Sequence, residues 1–188
     1  PDLSGLAATS GADLALSLDA RAVRVARFGD GMLDAGRIVA QLTRTDGAVE
    51  IERISVAGLG GANLIATGRL DRTGGRFDLD LDAARLTELA DLMRRLAPGA
   101  WSEALAQRAA RLSPARLKAH AEAAPDFALK SASLDAMLAG AKVTGSVTTA
   151  EGGGLRGQIA AAHPDAATLI RQLGAEIRGA PNKGAGRI

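Results

Sequence analysis

Apolar and polar residues alternate along residues 13–83 in short runs that are separated by turn residues. The leucines of residues 14–18 are interleaved with small or polar residues, a period of two that is typical of a strand with one solvent-exposed face. The Asp-Gly pair of Thr45-Asp46-Gly47 indicates a tight hairpin turn. The apolar phase then shifts, which predicts a β-bulge near Glu52-Arg53. We therefore predict an antiparallel β-meander over residues 13–83.

The apolar spacing changes after this meander from a period of two to a helical period. Apolar residues recur three and four positions apart up to Pro98-Gly99, a pair that ends helices. Residues 101–112 predict a second helix, and Ser113-Pro114 is a favourable N-cap and N1 pair for a third, which ends before Pro125. Residues 84–124 are therefore predicted to form a helical insertion.

A hairpin that leads into a helix occurs twice along the chain. The leading glycines of the two copies, Gly68 and Gly145, lie 77 positions apart (145 − 68). A hairpin cannot bury its apolar face alone, so repeated hairpins stack side by side into an extended sheet. Residues 126–179 therefore predict a second β-hairpin and a C-terminal helix, which begins at His163-Pro164-Asp165.

We predict a single α+β domain over residues 13–179. It consists of a curved antiparallel β-sheet of repeated hairpins, groove-like in shape, with the helical insertion and the C-terminal helix. Residues 1–12 are predicted to be a loose lead-in, and residues 180–188 a linker or tail. The chain begins at Pro1 and has neither a signal-peptide pattern nor a charge-free apolar run that could span a bilayer. We therefore expect a piece of a larger protein, with any anchor outside it.

The composition narrows the classes of partner and chemistry. Aromatic residues make up 2% of the chain, and the formal net charge is only +2. Since single-stranded nucleic acids are held by aromatic stacking and basic grooves, we predict no nucleic-acid partner. The absence of cysteine excludes disulfides and a thiolate nucleophile. Basic residues outnumber acidic ones in the central helical region, where a solvated helix face is favoured over contact with anionic lipid head groups: Arg85, Arg94, Arg95, Arg108, Arg111, Arg116 and Lys118.

No constellation of residues predicts an active site, a metal site or a cofactor site. His120 is predicted to lie on an exposed helix, without a second ligand at the spacing that zinc requires. Asp78, Asp80 and Asp82 share one face of a strand, for which solvation is favoured over cation binding. The Gly-rich run 58–61 precedes another strand and not a helix, so it predicts a hairpin turn and no dinucleotide site. We predict a non-enzymatic protein without a cofactor.

Four runs together follow the order of an alternating strand, an Asp-Gly turn, a return strand, a Gly-Gly turn and a strand that ends in Gly: residues 12–18, 45–51, 60–70 and 77–83. In this order of elements residues 12–83 resemble the AsmA family of bacterial envelope proteins, and residues 126–174 look like segments of the same family. The resemblance implies an inner-membrane-anchored protein that faces the periplasm. It also implies a long curved β-sheet whose apolar interior serves phospholipid transfer toward the outer membrane.

The alternation and the resemblance agree on an apolar sheet face that could cradle acyl chains of phospholipids. Its candidate lining residues are Leu14, Leu16, Leu18, Ile38, Leu42, Val49, Ile51, Leu64, Leu70, Phe77, Leu79 and Leu81. The same side chains could instead pack on the two predicted helices as a closed core, and alternation alone does not decide between these arrangements. A second hypothesis is a scaffold that binds envelope assembly proteins through its sheet edges, and an enzyme is the third.

Overall fold

The computed structural model describes residues 13–26, 32–150, 152–165, 168 and 186–187. Two helices, α1 (Thr87–Leu96) and α2 (Ala100–Arg108), follow the fifth strand and precede the sixth. The strands are β1 (Leu14–Ala26), β2 (Met32–Thr45), β3 (Ala48–Leu59), β4 (Ala62–Asp71), β5 (Gly74–Ala83), β6 (Ala115–Ala123), β7 (Leu129–Leu138), β8 (Ala141–Thr149), β9 (Leu155–His163) and β10 (Gly186–Arg187).

The strands form one open, curved antiparallel sheet in which each strand pairs with the next along the chain. β1 is the outer strand on one side, and on the other side the two-residue β10 pairs with the end of β9. Short hairpins join most neighbouring strands, whereas the segment between β5 and β6 contains the two helices. At the β2–β3 turn, Asp46 and Gly47 have φ values of +53° and +78°, the positive angles that a two-residue turn of type I′ requires.

The meander that the alternation predicts over residues 13–83 is confirmed, since β1 to β5 occupy this range. The predicted bulge is confirmed as well, because Gln41 pairs with Arg53 and Leu42 pairs with Ile51, which leaves Glu52 between the two pairs. The first two predicted helices correspond to α1 and α2.

The third predicted helix is wrong, because its residues form strand β6. Its alanines favour helices, but they alternate with polar residues and pair across the sheet with β5 and β7. Ser113 caps no new helix. Its hydroxyl accepts a hydrogen bond from Leu86 N (2.9 Å) and donates one to Ala109 O (2.8 Å). Among the described residues the fold is therefore mostly β, and the predicted helical insertion contains two short helices rather than three.

Two further predictions concern the chain ends. The lead-in predicted for residues 1–12 lies outside the described residues, as does the C-terminal helix apart from its first residues and Thr168. Of the tail predicted for residues 180–188, Gly186 and Arg187 are described, and they form β10 and not a loose end.

A buried core lies where the helices meet the ends of strands β4 to β7. Small alanines at these strand ends let the helices pack close to the sheet. Leucines of both helices and of the strands surround the alanines. We call this side of the sheet the helix rim, and the opposite side, which carries the β2–β3 and β4–β5 turns, the hairpin rim. The buried residues of this core are Ala62, Leu81, Ala83, Leu86, Ala90, Ala109 and Ala115.

Candidate functional site

One face of the sheet carries only apolar residues and glycine over three complete rows, each of which crosses all nine long strands. Residues that pair directly across antiparallel strands point to the same face, so the register defines these rows. The first is Leu16, Leu42, Ile51, Gly68, Phe77, Ala121, Ala132, Val147 and Gly157; the second is Leu18, Ala40, Ile54, Ala66, Leu79, Ala119, Leu134, Gly145 and Ile159; the third is Ala20, Ile38, Val56, Leu64, Leu81, Leu117, Ala136, Val143 and Ala161. We call these three rows the apolar face.

All twelve candidate lining residues lie on this side of the sheet. Nine belong to the three rows: Leu16, Leu18, Ile38, Leu42, Ile51, Leu64, Phe77, Leu79 and Leu81. The other three, Leu14, Val49 and Leu70, form the next row toward the hairpin rim, where Arg44 stands between Leu14 and Val49. The bulge at Glu52 keeps β3 in phase, because without it Ile54 would leave the face that Ile51 occupies.

Solvent reaches most of the apolar face. Leu14, Leu16 and Leu18 on β1 are 49%, 52% and 49% exposed, and Ile159 on β9 is 78% exposed. The other candidates between these strands are half-buried except Leu81, which is buried. A large apolar surface of this kind is unusual on a soluble monomer and marks an interaction site for protein, membrane or ligand.

The helices cover the apolar face only at the helix rim. Leu64, Leu81 and Leu117, all from the third row, contact the helical core, whereas the residues of the first two rows do not belong to it. Among the described residues, the face is therefore a closed core at one rim and open over the rest. The sequence left both arrangements possible, and the structure contains both.

The opposite face of the sheet is polar and carries several ion pairs. Arg116 lies 3.0 Å from Asp82 and Lys118 lies 3.7 Å from Asp80, each pair joining β6 to β5. Arg37 bridges to Asp19 between β2 and β1 at 2.7 Å. These pairs are solvent-exposed, so each contributes little to stability, but together they mark this face as the wet side of the sheet.

Each of the three aspartates of β5 lies beside a basic side chain of β6. His120 Nδ1 lies 2.8 Å from Asp78 Oδ1, and its Nε2 lies 3.8 Å from Glu122 Oε1. His120 therefore stands on a strand of the polar face, so its predicted place on an exposed helix is wrong. Within the described residues, no group of three His, Asp or Glu side chains is placed to hold a metal ion.

Two carboxylates of the polar side have altered acidity. Arg37 donates from Nε and Nη2 to the two oxygens of Asp19 (2.9 and 2.7 Å), and these hydrogen bonds lower the pKa of Asp19 and raise that of Arg37. Hydrogen bonds from Thr73 Oγ1 (2.6 Å) and Thr73 N (2.8 Å) lower the pKa of Asp71. Both carboxylates are thus held ionised, a state that suits a structural role better than a proton-transferring one.

One depression of the surface lies away from the apolar face. It measures about 430 Å³ and lies at the hairpin rim between the β2–β3 and β4–β5 turns. Its lining is mostly charged or hydroxylated, with Arg69 3.5 Å from Asp71. None of the candidate lining residues borders it, so the candidate site is the open apolar face and not this depression.

Sequence reasoning named none of the residues that strands β6 to β9 contribute to the apolar face, 12 of its 27 positions. Strands β6 to β9 supply large side chains such as Leu117, Leu134, Val143 and Ile159, none of which was a candidate. The signal was present in β6, where every second residue from Ala115 to Ala123 is apolar. It was masked because most of those residues are alanine, which also suits a helix.

No family model, curated protein or solved structure matches the chain. Neither helix in the described part of the chain has the length and apolar character that crossing a bilayer requires.

Proposed function

We propose that the chain is a non-enzymatic module that holds the acyl chains of phospholipids on its apolar face. In this proposal the module belongs to the periplasmic side of an inner-membrane-anchored protein and serves lipid transfer toward the outer membrane. The cellular setting rests on the resemblance of residues 12–83 to the AsmA family. The lipid-binding role rests on the open apolar face, which is the observation that carries the proposal.

The dimensions of the apolar face suit an extended hydrocarbon chain. Nine strands spaced about 4.8 Å apart give rows of about 38 Å. One leaflet of a bilayer contributes about 15 Å of hydrocarbon, half of the usual core thickness. A lipid tail can therefore lie along a row and still have further apolar surface ahead of it, as transfer along the sheet requires.

Transfer along such rows needs no chemical step. Each methylene that leaves water for an apolar surface gains about 0.8 kcal/mol, and a tail that slides along a row exchanges one apolar contact for another. The rows contain no charged residue that a tail would have to pass. The head group would extend from the row into solvent in the direction of the hairpin rim, since the helices occupy the other rim.

The test is native mass spectrometry of the chain purified gently from a bacterial envelope, followed by lipid extraction. We expect bound phospholipid with the natural chain and its loss with Leu16→Asp, which places a carboxylate in the first row. Ser17→Asp is the matched control, because Ser17 is an exposed neighbour on the polar face. It should leave bound lipid unchanged.

Folding of the variants is checked by circular dichroism. Leu16 is half-exposed, so Leu16→Asp should stay folded, whereas the same change at the buried Leu81 should unfold the domain. A folded natural chain without lipid would contradict the proposal, as would equal lipid loss from the Leu16 and Ser17 variants.

A second candidate function is a scaffold that binds envelope assembly proteins through the sheet edges. It is favoured by one observation: in the described sheet, no strand lies outside β1. A lipid-free, well-folded chain that co-purifies with a stoichiometric protein partner would support the scaffold and not the lipid module.

A further inference from the structure

The outer strand β1 presents a regular, unpaired edge within the described sheet. Its register with β2 is uninterrupted from Leu14 to Arg21, and the first irregularity follows at Ala22, which has a φ of +53°. An outer strand exposes a row of backbone N–H and C=O groups that can pair with another strand. Proteins usually protect such edges with proline, inward-pointing charges or early bulges, and residues 14–20 contain none of these.

The apolar face continues to this edge without change of character. Leu14, Leu16 and Leu18 all point to the apolar side and are each about half exposed. Their inner neighbours on β2, such as Ala40 and Leu42, are less exposed because a strand flanks them on both sides. A further strand beside β1 would bury the three leucines in the same way.

The sequence of this edge is self-complementary when two copies pair antiparallel about Ser17. In that register Leu16 of one copy faces Leu18 of the other, and Leu14 faces Ala20, all on the apolar side. On the polar side Asp13 faces Arg21, so each end of the paired segment joins opposite charges. The side chain of Arg21 is 77% exposed and its ion pair with Asp19 is long, at 4.0 Å, so it can turn to such a partner.

The neighbouring registers are less favourable. Pairing about Leu16 would place Asp13 opposite Asp19, so that two carboxylates meet at both ends. Pairing about Leu18 would draw in Ala22, where the strand is irregular. The segment 13–21 is therefore the longest stretch that is regular, faces apolar residues to apolar residues and pairs unlike charges.

We propose that two copies of this chain associate through antiparallel pairing of their β1 strands, centred on Ser17. The pair forms one continuous sheet, and the apolar faces of the two copies join on the same side. This inference goes beyond the lipid-binding proposal and does not depend on it, because edge pairing requires no lipid.

Disulfide trapping tests the register, since the chain has no native cysteine. In Ser17→Cys the two new thiols face each other across directly paired strands, about 4.5–5.5 Å apart between Cα atoms, within the reach of a disulfide. Gln41→Cys is the matched control: Gln41 is the exposed cross-strand neighbour of Ser17 on β2, and two copies of it lie about 14 Å apart, three strand spacings. We expect rapid oxidation to a covalent dimer for Ser17→Cys and not for Gln41→Cys.

Charge reversal with analytical ultracentrifugation of the full chain gives an independent readout. We expect a concentration-dependent dimer that Asp13→Arg or Arg21→Asp weakens about three- to thirtyfold, because each change creates two symmetry-related like-charge pairs. The double variant Asp13→Arg/Arg21→Asp should restore the dimer. A monomer at all concentrations, equal trapping at both cysteines, a ladder of higher oligomers or no rescue by the double variant would each overturn the proposal.

Discussion

The ring of Phe77 lies against two glycines, Gly68 in the same row of the apolar face and Gly75 in the next row toward the hairpin rim. A Cβ atom added to Gly68 would come within 2.7 Å of Phe77 Cδ1 and of Arg76 O, and one added to Gly75 would come within 2.8 Å of Phe77 Cε2. Gly68 is also the direct cross-strand partner of Phe77. The glycines therefore make room for the ring, and the ring covers backbone that glycine would otherwise leave exposed.

We expect Gly68→Val to destabilise the domain by about 1–3 kcal/mol, the usual range for overpacking at a tightly packed position. Urea unfolding followed by circular dichroism measures this difference. Gly154→Val is the control, because no heavy atom lies within 4 Å of a Cβ added there. Equal effects of the two changes would show that the contact with Phe77 does not set the requirement for glycine.

The Asp19–Arg37 pair makes stability depend on pH at another single site. Because the pKa of Asp19 is lowered in the folded chain, its ionised form stabilises the fold above the unfolded-state pKa. That contribution disappears as the pH falls through the lower, folded-state pKa. We expect Asp19→Asn to have a lower Tm than the natural chain at pH 7, and the two Tm values to converge once the pH is below the folded-state pKa of Asp19.

Thermal unfolding from pH 7 to pH 2 provides the measurement. The double variant Asp19→Asn/Arg37→Gln should lose no more stability than Asp19→Asn alone, since the single change already removes the ion pair. A constant Tm difference at all pH values would mean that Asp19 acts through packing and not through its charge.

At the scale of elements, Ser113, which lies between α2 and β6, connects the start of α1 to the residue just after α2. Its hydroxyl satisfies the backbone N–H of Leu86, at the start of α1, and contacts the carbonyl of Ala109, just after α2. The first N–H groups of a helix have no partner within the helix, so a side chain from elsewhere must supply one when water is excluded. Leu86 is buried, which makes this partner important.

We expect Ser113→Ala to cost about 1 kcal/mol of stability, comparable to the loss of a helix cap. Chemical denaturation measures the cost. Ser133→Ala, at an exposed position on the polar face of β7, serves as the control and should be nearly neutral. A neutral Ser113→Ala would mean that water replaces the hydroxyl at Leu86.

The strands of residues 13–83 could be predicted because large apolar residues recur at alternate positions and because glycine-containing turns separate β2 from β3, β3 from β4 and β4 from β5. β6 could not be assigned in the same way, since its inward residues are mainly alanine and Ser113-Pro114 resembles a helix start. Its outward residues held the missing information: Arg116 and Lys118 complement Asp82 and Asp80 across the register. Such pairing is non-local and becomes apparent only once the neighbouring strand is known.

The candidate site shows the same division between local and non-local information. Alternation places all twelve candidates on one side of the sheet, as observed. What covers them depends on where the helices pack, and this follows from contacts with distant alanines such as Ala62 and Ala115. The sequence therefore predicts the face but not the part of it that stays open.

At the scale of the whole molecule, the sheet has two different sides and two different rims. Exposed ion pairs cover the polar side, and three unbroken apolar rows form the other. The helices close the apolar face at one rim only. A protein that used this surface merely as a core would need a covering layer over the first two rows. Among the described residues no such layer exists, and we propose that lipid tails take that place.

Photolabelling with a phospholipid that carries a diazirine in its acyl chain tests whether lipid tails lie on the apolar face. Mass spectrometry of the labelled peptides should place adducts on the apolar face, with the strongest labelling near the exposed Leu16 and Ile159. The adjacent polar-face residues Ser17 and Gln158 serve as internal controls and should stay unlabelled. Labelling spread equally over both faces, or restricted to the polar face, would contradict the claim that this sheet binds lipid tails.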